Sequence, residues 1–319
     1  MSTKMKYLLH ILAATVLMLS AIFVYAGASK AEKDVHEKLK VTVTTTFLGD
    51  ALEQIAGDAI DLIVLMGPGI DPHQYQASSS DLNKLLDADV IFYGGLHLES
   101  KLAEVLEKLE ESDRIVINTS RGIPQNKLLK INAEASTNEA IYDPHIWFDI
   151  RLWEQVITEI TNVLIKIDSK NAAYYQTQVE RYRLELADLE KYTMDMIATI
   201  PENTRYLITA HDAFNYFAEY TGMDVRSIQG ISTVVEAGTS NISETANFIA
   251  EHKIKAVFVE STISPKLMQA LTESVRAKGF DTSIGGELFS DSTGTRGTPE
   301  QSYIGTYRHN VKTIVEALK

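Results

Sequence analysis

The chain has 319 residues, enough for two domains, and it carries a formal net charge of −13 and no cysteine. The lack of thiols excludes disulfides, cysteine-ligated zinc, a thiol nucleophile and a lipid anchor on an N-terminal cysteine. The acidic balance argues against nucleic-acid binding, because the phosphates would be repelled.

The first 28 residues have the pattern of an export signal. Lys4 and Lys6 precede an apolar run from Leu8 to Ala26, and the small residues at its end suit a signal peptidase. The alternative is a retained membrane anchor, because the run is near the lower length limit for spanning a bilayer. We expect a periplasmic or secreted protein, exported by a cleavable signal peptide at 1–28 that has no lipobox cysteine.

Short β-branched runs alternate with helical patterns along both halves of the remaining chain. The predicted strands of the first half are Lys40–Thr46, Ile60–Met66, Asp89–Tyr93 and Arg114–Thr119. Those of the second half are Arg205–Thr209, Asp224–Ile228, Lys255–Glu260 and Asp281–Gly285. The helical patterns include Leu48–Ile55, Asp81–Leu86, Leu102–Leu109, Asp212–Tyr220, Glu244–His252 and Pro265–Lys278. This alternation predicts an α/β fold of two lobes, each a mostly parallel sheet flanked by helices.

The middle of the chain departs from this alternation. A helical stretch without Gly or Pro runs from about Asn171 to Ile200. At 1.5 Å per residue it would be about 45 Å long, which is more than one lobe needs. We therefore predict an N-terminal lobe at 38–168, a rigid linking helix at 169–200 and a C-terminal lobe at 201–319. The alternative is a long packing helix inside a single domain.

The tripeptide Asp-Pro-His occurs twice, as Asp71–His73 and as Asp143–His145. Proline fixes its own φ and pushes the preceding residue towards an extended conformation, so each histidine is held on a stiff turn. One such histidine is more often solvated or capping than a metal ligand. Two of them, together with His211 and Asp291, predict a four-ligand site assembled from distant segments.

The positions of these four residues support that reading. Each follows a predicted strand, two in each half, and open parallel sheets place ligands beyond the carboxyl ends of their strands. They can therefore converge in the cleft between the lobes. Three imidazoles and one carboxylate suit a borderline ion such as Zn²⁺, whereas Ca²⁺ prefers oxygen ligands alone.

Several neighbouring polar residues are candidates for supporting roles. Asp71, Asp143, Asp212 and Glu260 are candidates for orienting the ligands, although the aspartates are equally suited to capping turns or helices. His97, which also follows a strand, is assigned to lobe packing or to contact with a ligand. The histidines at positions 10, 252 and 309 are set aside as part of the signal or as solvated helix residues.

Five motifs resemble one known family, and the resemblance covers nearly all of the chain after the signal. The family is the metal-binding class of ABC-transporter solute-binding proteins, the zinc and manganese receptors, with the TroA-like branch most similar. The motifs are Met66-Gly-Pro-Gly-Ile-Asp-Pro-His73, Gly95-Leu-His-Leu-Glu99, Asp143-Pro-His-Ile-Trp-Phe-Asp149, Thr209-Ala-His-Asp-Ala-Phe214 and Gly285-Gly-Glu-Leu-Phe-Ser-Asp291.

The resemblance implies that the metal ligands are His73, His145, His211 and Asp291. It also implies two α/β lobes joined by one long helix, with limited closure when the ion binds. Zinc-dedicated members usually carry a His-rich or acid-rich loop before the second Asp-Pro-His, and the segment 121–142 has no such run. Zinc and manganese therefore both remain expected cargo, at one ion per chain.

The expected function is an exported receptor that delivers Zn²⁺ or Mn²⁺ to the membrane permease of an ABC importer. The receptor is expected to be a monomer. It is also expected to have no enzymatic activity, because four protein ligands leave a tetrahedral ion no open position for water. One rival is a metallohydrolase in which Asp291 or a nearby acid acts as base. It lacks support from a His-Glu-x-x-His helix or a Gly-x-Ser-x-Gly elbow. A surface adhesin is the other rival, and nothing in the chain supports it directly.

Overall fold

The structure is a computed structural model that describes residues 38–131, 141–236 and 238–319. The predicted signal peptide at 1–28 lies outside these ranges. In the described part of the chain, no helix combines the length and the apolar character needed to cross a membrane.

The first lobe is a four-stranded parallel sheet flanked by helices. Its strands are β1 Leu39–Val43, β2 Ile60–Val64, β3 Val90–Tyr93 and β4 Ile115–Asn118, in the order β2-β1-β3-β4. Its helices are α1 Thr46–Ala56, α2 Ser79–Asp87 and α3 Ala103–Glu110. A short antiparallel pair follows, β5 Lys130–Ile131 and β6 Ile141–Tyr142. The predicted parallel architecture of this half is confirmed.

Two long helices separate the sheets. The first, α4 Ile150–Ile167, begins after Asp149, whose side chain caps it by accepting a hydrogen bond from the Arg151 amide at 2.9 Å. The second, α5 Ala172–Ile197, has 26 residues and confirms the predicted linking helix. Its buried stripe follows helical spacing and comprises Tyr175, Val179, Tyr182, Leu186, Leu189, Thr193 and Ile197. The exact lobe boundaries stay a prediction.

The second lobe repeats the alternation of strands and helices. Its strands are β7 Tyr206–Thr209, β8 Asp224–Ser227, β9 Ala256–Glu260 and β10 Ser283–Leu288. Its helices are α6 Asn215–Thr221, α7 Thr239–His252, α8 Lys266–Ala277 and α9 Tyr303–Leu318. The strands form two parallel pairs, β7 with β8 and β9 with β10, and β7 lies beside β9. The mostly parallel character predicted for this half is confirmed.

The last strand runs beyond its predicted end at Gly285. Glycine is a weak strand residue, so the pair Gly285-Gly286 reads as a strand end in the sequence. In the fold, β10 continues through this pair with a register shift and ends at Leu288. A Cβ on Gly285 would lie 2.7 Å from the Cβ of Ala317, so the glycine allows α9 to pack closely on the strand.

One hydrophobic core extends through both lobes and the long helices. At its edge the buried carboxylate of Asp50, on α1, accepts hydrogen bonds from the Tyr303 amide at 2.9 Å and the Tyr182 hydroxyl at 3.3 Å. Burial raises the pKa of Asp50 to about 6. This carboxylate therefore joins α1 of the first lobe, the linking helix α5 and α9 of the second lobe.

Candidate metal centre

Both Asp-Pro-His tripeptides form the same local turn. The Asp71 side chain accepts a hydrogen bond from the His73 amide at 2.9 Å, and Asp143 does the same for the His145 amide at 2.9 Å. These are side-chain turns of the kind that aspartate favours. Each histidine is thereby held in place by its own tripeptide before any partner from the other lobe is considered.

The structure brings all four predicted residues together. One ligand atom from each of His73, His145, His211 and Asp291 lies within 4.8 Å of the others, and none of these residues is more than 2% exposed. His145 is central, because its Nε2 atom lies 3.3 Å from His73 Nε2, 3.4 Å from His211 Nε2 and 3.4 Å from Asp291 Oδ1. The other oxygen of Asp291 is 3.3 Å from His211 Nε2.

These separations match the geometry of a tetrahedral ion. Ligand atoms around a tetrahedral centre lie about 1.6 bond lengths apart, which is about 3.3–3.4 Å for Zn–N bonds of about 2.0–2.1 Å. The three separations from His145 Nε2 and the one between His211 Nε2 and Asp291 therefore agree with the spacing of zinc ligands. The donor set, three nitrogens and a carboxylate, is also one that zinc accepts.

Two carboxylates contact the Nδ1 atoms of two of the imidazoles, so that the Nε2 atoms face the candidate metal position. Asp143 Oδ1 lies 2.7 Å from His145 Nδ1, and Glu260 Oε2 lies 2.5 Å from His211 Nδ1. The second oxygen of Glu260 accepts hydrogen bonds from the amides of Ala210, at 2.7 Å, and His211, at 2.9 Å. Once the ring has lost its second proton, an Nδ1 atom that donates to the carboxylate leaves the Nε2 atom unprotonated and able to bind a metal ion.

His73 differs from the other two histidines. Its Nδ1 atom is buried and has no hydrogen-bond partner among the residues that the structure describes. Burial lowers the pKa of His73 to about 3, because the charged form is poorly solvated there. His73 is therefore neutral and ready to bind, but no carboxylate fixes its ring.

The pKa shifts of the other three candidate ligands follow from their partners. Burial by itself lowers the pKa of His145, but the Asp143 and Asp291 carboxylates together outweigh it and raise the pKa to about 9. For His211, Glu260 and Asp291 outweigh burial and raise the pKa well above its usual value. Burial raises the pKa of Asp291, but His211 and His145 outweigh it and hold this pKa well below the usual range.

The predicted supporting residues divide into two groups. Asp71, Asp143 and Glu260 contact a ligand residue directly, through its backbone amide or its ring. Asp212 instead hydrogen-bonds to Asn215, and its amide donates to the Gly230 carbonyl at 3.3 Å. His97 is exposed and has a positive φ of 64°. It lines a cavity together with His73, but no hydrogen bond from it to a ligand is observed among the described residues.

Sequence reasoning missed two buried contacts that stabilise the ligand loops. The Glu99 carboxylate accepts hydrogen bonds from the Thr44 hydroxyl at 2.6 Å and the Gly94 amide at 2.7 Å. The Trp147 indole donates to the Ser290 carbonyl at 2.9 Å, which ties the His145 loop to the residue before Asp291. Glu99 and Trp147 both lie inside the five motifs described in the sequence analysis. Their place in those motifs is the sequence signal that could have indicated a role near the candidate centre.

A cavity of about 500 Å³ lies beside the centre, between the lobes. Of the four candidate ligands, only His73 lines it; the other wall residues from the first lobe include His97 and Tyr142. The second lobe contributes the segment around Gln229–Glu236. The cavity therefore connects the surface with the side of the centre that His73 occupies.

The family model described as "Zinc-uptake complex component A periplasmic" (ZnuA) matches residues 41–317. The manganese-binding lipoprotein MntA of Bacillus subtilis (strain 168) is 41% identical over 308 residues, covering 97% of this chain and 99% of MntA. The zinc-binding protein TroA of Treponema pallidum is 40% identical over 296 residues, covering 93% and 94%.

Solved structures agree with the sequence comparisons. The periplasmic zinc-binding protein TroA from Treponema pallidum superposes with a TM-score of 0.84 over 88% of this chain and 99% of TroA, at 40% identity. Fe(III)-bound YtgA from Chlamydia trachomatis superposes with a TM-score of 0.77 at 26% identity, covering 88% of this chain and 98% of YtgA. The two-lobed fold and the similarity in sequence therefore extend over the same region.

Proposed function

Because this chain belongs to the ZnuA family of periplasmic zinc-uptake components, we propose that it is an exported receptor for one divalent metal ion. The ion, Zn²⁺ or Mn²⁺, is bound by His73, His145, His211 and Asp291. The observation that carries the proposal is the placement of four buried donor atoms within 4.8 Å of one another. The cargo is then delivered to the membrane permease of an ABC importer.

The receptor role, rather than catalysis, is supported by the closed donor set. A catalytic zinc site keeps one position for water, with three protein ligands around the ion. Here a fourth ligand, Asp291, is present, and it is buried with the three histidines. We propose that the chain is not an enzyme and that it acts as a monomer.

Export is proposed to depend on the signal peptide at residues 1–28. MntA of Bacillus subtilis is named a lipoprotein, whereas this chain contains no cysteine to carry a lipid. We therefore propose that the signal is cleaved and that the receptor is released into the periplasm or secreted.

Isothermal titration of the chelator-treated mature chain with ZnCl₂ tests the proposal. We expect one tight site per chain, because the described residues contain one cluster of metal-binding side chains. Calcium should give no tight binding, since Ca²⁺ seeks six to eight oxygen ligands. Finding no tight zinc site would refute the proposal, and ester or peptide hydrolysis by the zinc-loaded protein would favour the metallohydrolase instead.

The choice between zinc and manganese rests on His211. The relatives with 40% and 41% identity are named for different metals, one for zinc and one for manganese. Nitrogen-rich sites bind Zn²⁺ well above Mn²⁺ in the intrinsic order of affinities. We expect zinc to win direct competition in vitro, while metal availability decides which ion is carried in the cell.

The variant His211→Glu should narrow the preference for zinc over manganese. An added carboxylate suits the harder Mn²⁺ ion, whereas the loss of an imidazole weakens zinc binding. The Glu260 carboxylate beside the substitution repels the new carboxylate and acts on both ions alike, so the ratio of the two affinities is the informative quantity. Competition titrations with both metals measure this ratio, with the exposed-site variant His252→Glu as the control. A ratio that is unchanged or raised would mean that His211 does not determine selectivity.

A further inference from the structure

Three polar residues connect the lobes beside the metal centre: Asp71 and Gln74 of the first lobe, and Thr233 of the second. We refer to them as the clasp. The Thr233 hydroxyl donates to Asp71 Oδ2 at 2.5 Å. The Gln74 amide donates to Asp71 Oδ2 at 3.1 Å, to the Thr233 carbonyl at 3.2 Å and to its hydroxyl at 3.3 Å. All four bonds therefore converge on one carboxylate oxygen and one threonine.

The clasp reaches a candidate ligand directly. While Oδ2 of Asp71 accepts from Thr233, its Oδ1 accepts from the His73 amide at 2.9 Å. A single carboxylate therefore links the second lobe to the backbone of His73. This matters for His73 more than for the other imidazoles, because no carboxylate holds its ring.

A second connection between the lobes is built in a different way. There the Asp143 carboxylate accepts from the Asn215 amide at 3.1 Å, and the Tyr216 hydroxyl donates to the Asp143 carbonyl at 3.0 Å. Next to them the rings of Phe148 and Phe214 pack with centroids 4.3 Å apart. Buried aromatic packing of this kind makes a durable connection, so this side is suited to act as the hinge.

The connection through the clasp involves a segment with less regular secondary structure. Thr233 lies between β8 and α7, and the described residues of that connection form no helix or strand. Its neighbours Val234 and Val235 are 42% and 74% exposed. Segments with few buried contacts open more readily than packed cores. Opening of the cleft should therefore begin here.

We propose that the clasp is the release latch of the receptor: Thr233 positions His73 through Asp71, and its opening lets His73 leave the ion first. The inference rests on the proposed metal-binding function. The cavity of about 500 Å³ supports it, because His73 is the ligand residue that lines this space. An ion freed from His73 thus faces the route to solvent, while His145, His211 and Asp291 still hold it.

The variant Thr233→Val tests the latch, because valine keeps the volume and removes the hydroxyl. A hydrogen bond to a charged group contributes enough that its loss should accelerate zinc dissociation about tenfold or more. The rate is measured by stopped flow, mixing the zinc-loaded full chain with excess chromogenic chelator. Thr233→Ser, which keeps the donor, should release zinc at nearly the wild-type rate. The melting temperature of the metal-free variant is measured in parallel, and a lower value without faster zinc release would count against the latch.

Thr282→Val is the matched control. Its hydroxyl is buried but has no partner among the described residues, so its removal should leave the release rate unchanged. Gln74→Ala is a second variant at an exposed position, expected to accelerate release to a smaller extent. Equal release rates for Thr233→Val and Thr282→Val would overturn the latch, as would equally fast release by Thr233→Ser. A wild-type chain that takes up no zinc would instead refute the proposed function.

Discussion

Replacing His145 by alanine should abolish tight zinc binding. The Nε2 atom of His145 lies within 3.4 Å of a donor atom from each of the other three residues, so its loss leaves a gap in the middle of the set. Losing a residue that merely orients a ligand already costs about 10–100-fold in metal affinity. Losing the ligand itself should cost more, and it also leaves the Asp143 carboxylate buried without its imidazole partner.

The measurement is a competition titration of the metal-free chain against a chelator of known zinc affinity. His252→Ala is the matched control, because His252 is exposed and its ring contacts Phe248, outside the candidate centre. Both variants should fold, which circular dichroism can verify. Zinc affinity within about threefold of wild type for His145→Ala would mean that His145 is not a ligand.

Zinc affinity should fall steeply as the pH decreases. In the metal-free protein the pKa of His145 is raised to about 9 and that of His211 is raised well above its usual value, so we expect both rings to carry a second proton and a positive charge near neutral pH. Metal binding requires neutral imidazoles, so these protons are released when the ion binds. His73, with its pKa lowered to about 3, has no proton to release. About two protons per zinc should therefore be released, and not three.

The sign follows from mass action. Because the metal-free form binds more protons than the loaded form, acid favours the metal-free form, and affinity rises with pH until the raised pKa values are passed. With two protons exchanged, affinity should change by up to about 100-fold per pH unit between about pH 6 and 8. Calorimetry in two buffers of different ionisation enthalpy counts the protons. The variant Glu260→Gln should release fewer, since it removes a carboxylate that raises the pKa of His211. A flat profile would exclude the histidines as ligands.

Much of the architecture follows from local patterns in the sequence. The first strand was predicted at Lys40–Thr46 and is observed at Leu39–Val43, and the linking helix was predicted from an uninterrupted run of helix-forming residues. The last strand is predicted to end at Gly285 because glycine is a weak strand residue, and only the fold shows that Ala317 packs against that position. Close packing between distant segments is a property of the folded chain alone.

For the candidate centre, the sequence by itself determined the residue types and where they stand. Parallel strands bring their carboxyl ends to one edge of a sheet, so donors placed after strands of both lobes can meet in the cleft between them. That they bind metal stays a prediction. The tertiary structure alone decided that His145 is central, that His73 has no carboxylate on its ring, and that Thr233 reaches Asp71 across 162 positions of sequence. Those features depend on distances of a few ångströms between distant segments, which are set by the packing of both lobes and not by any local pattern.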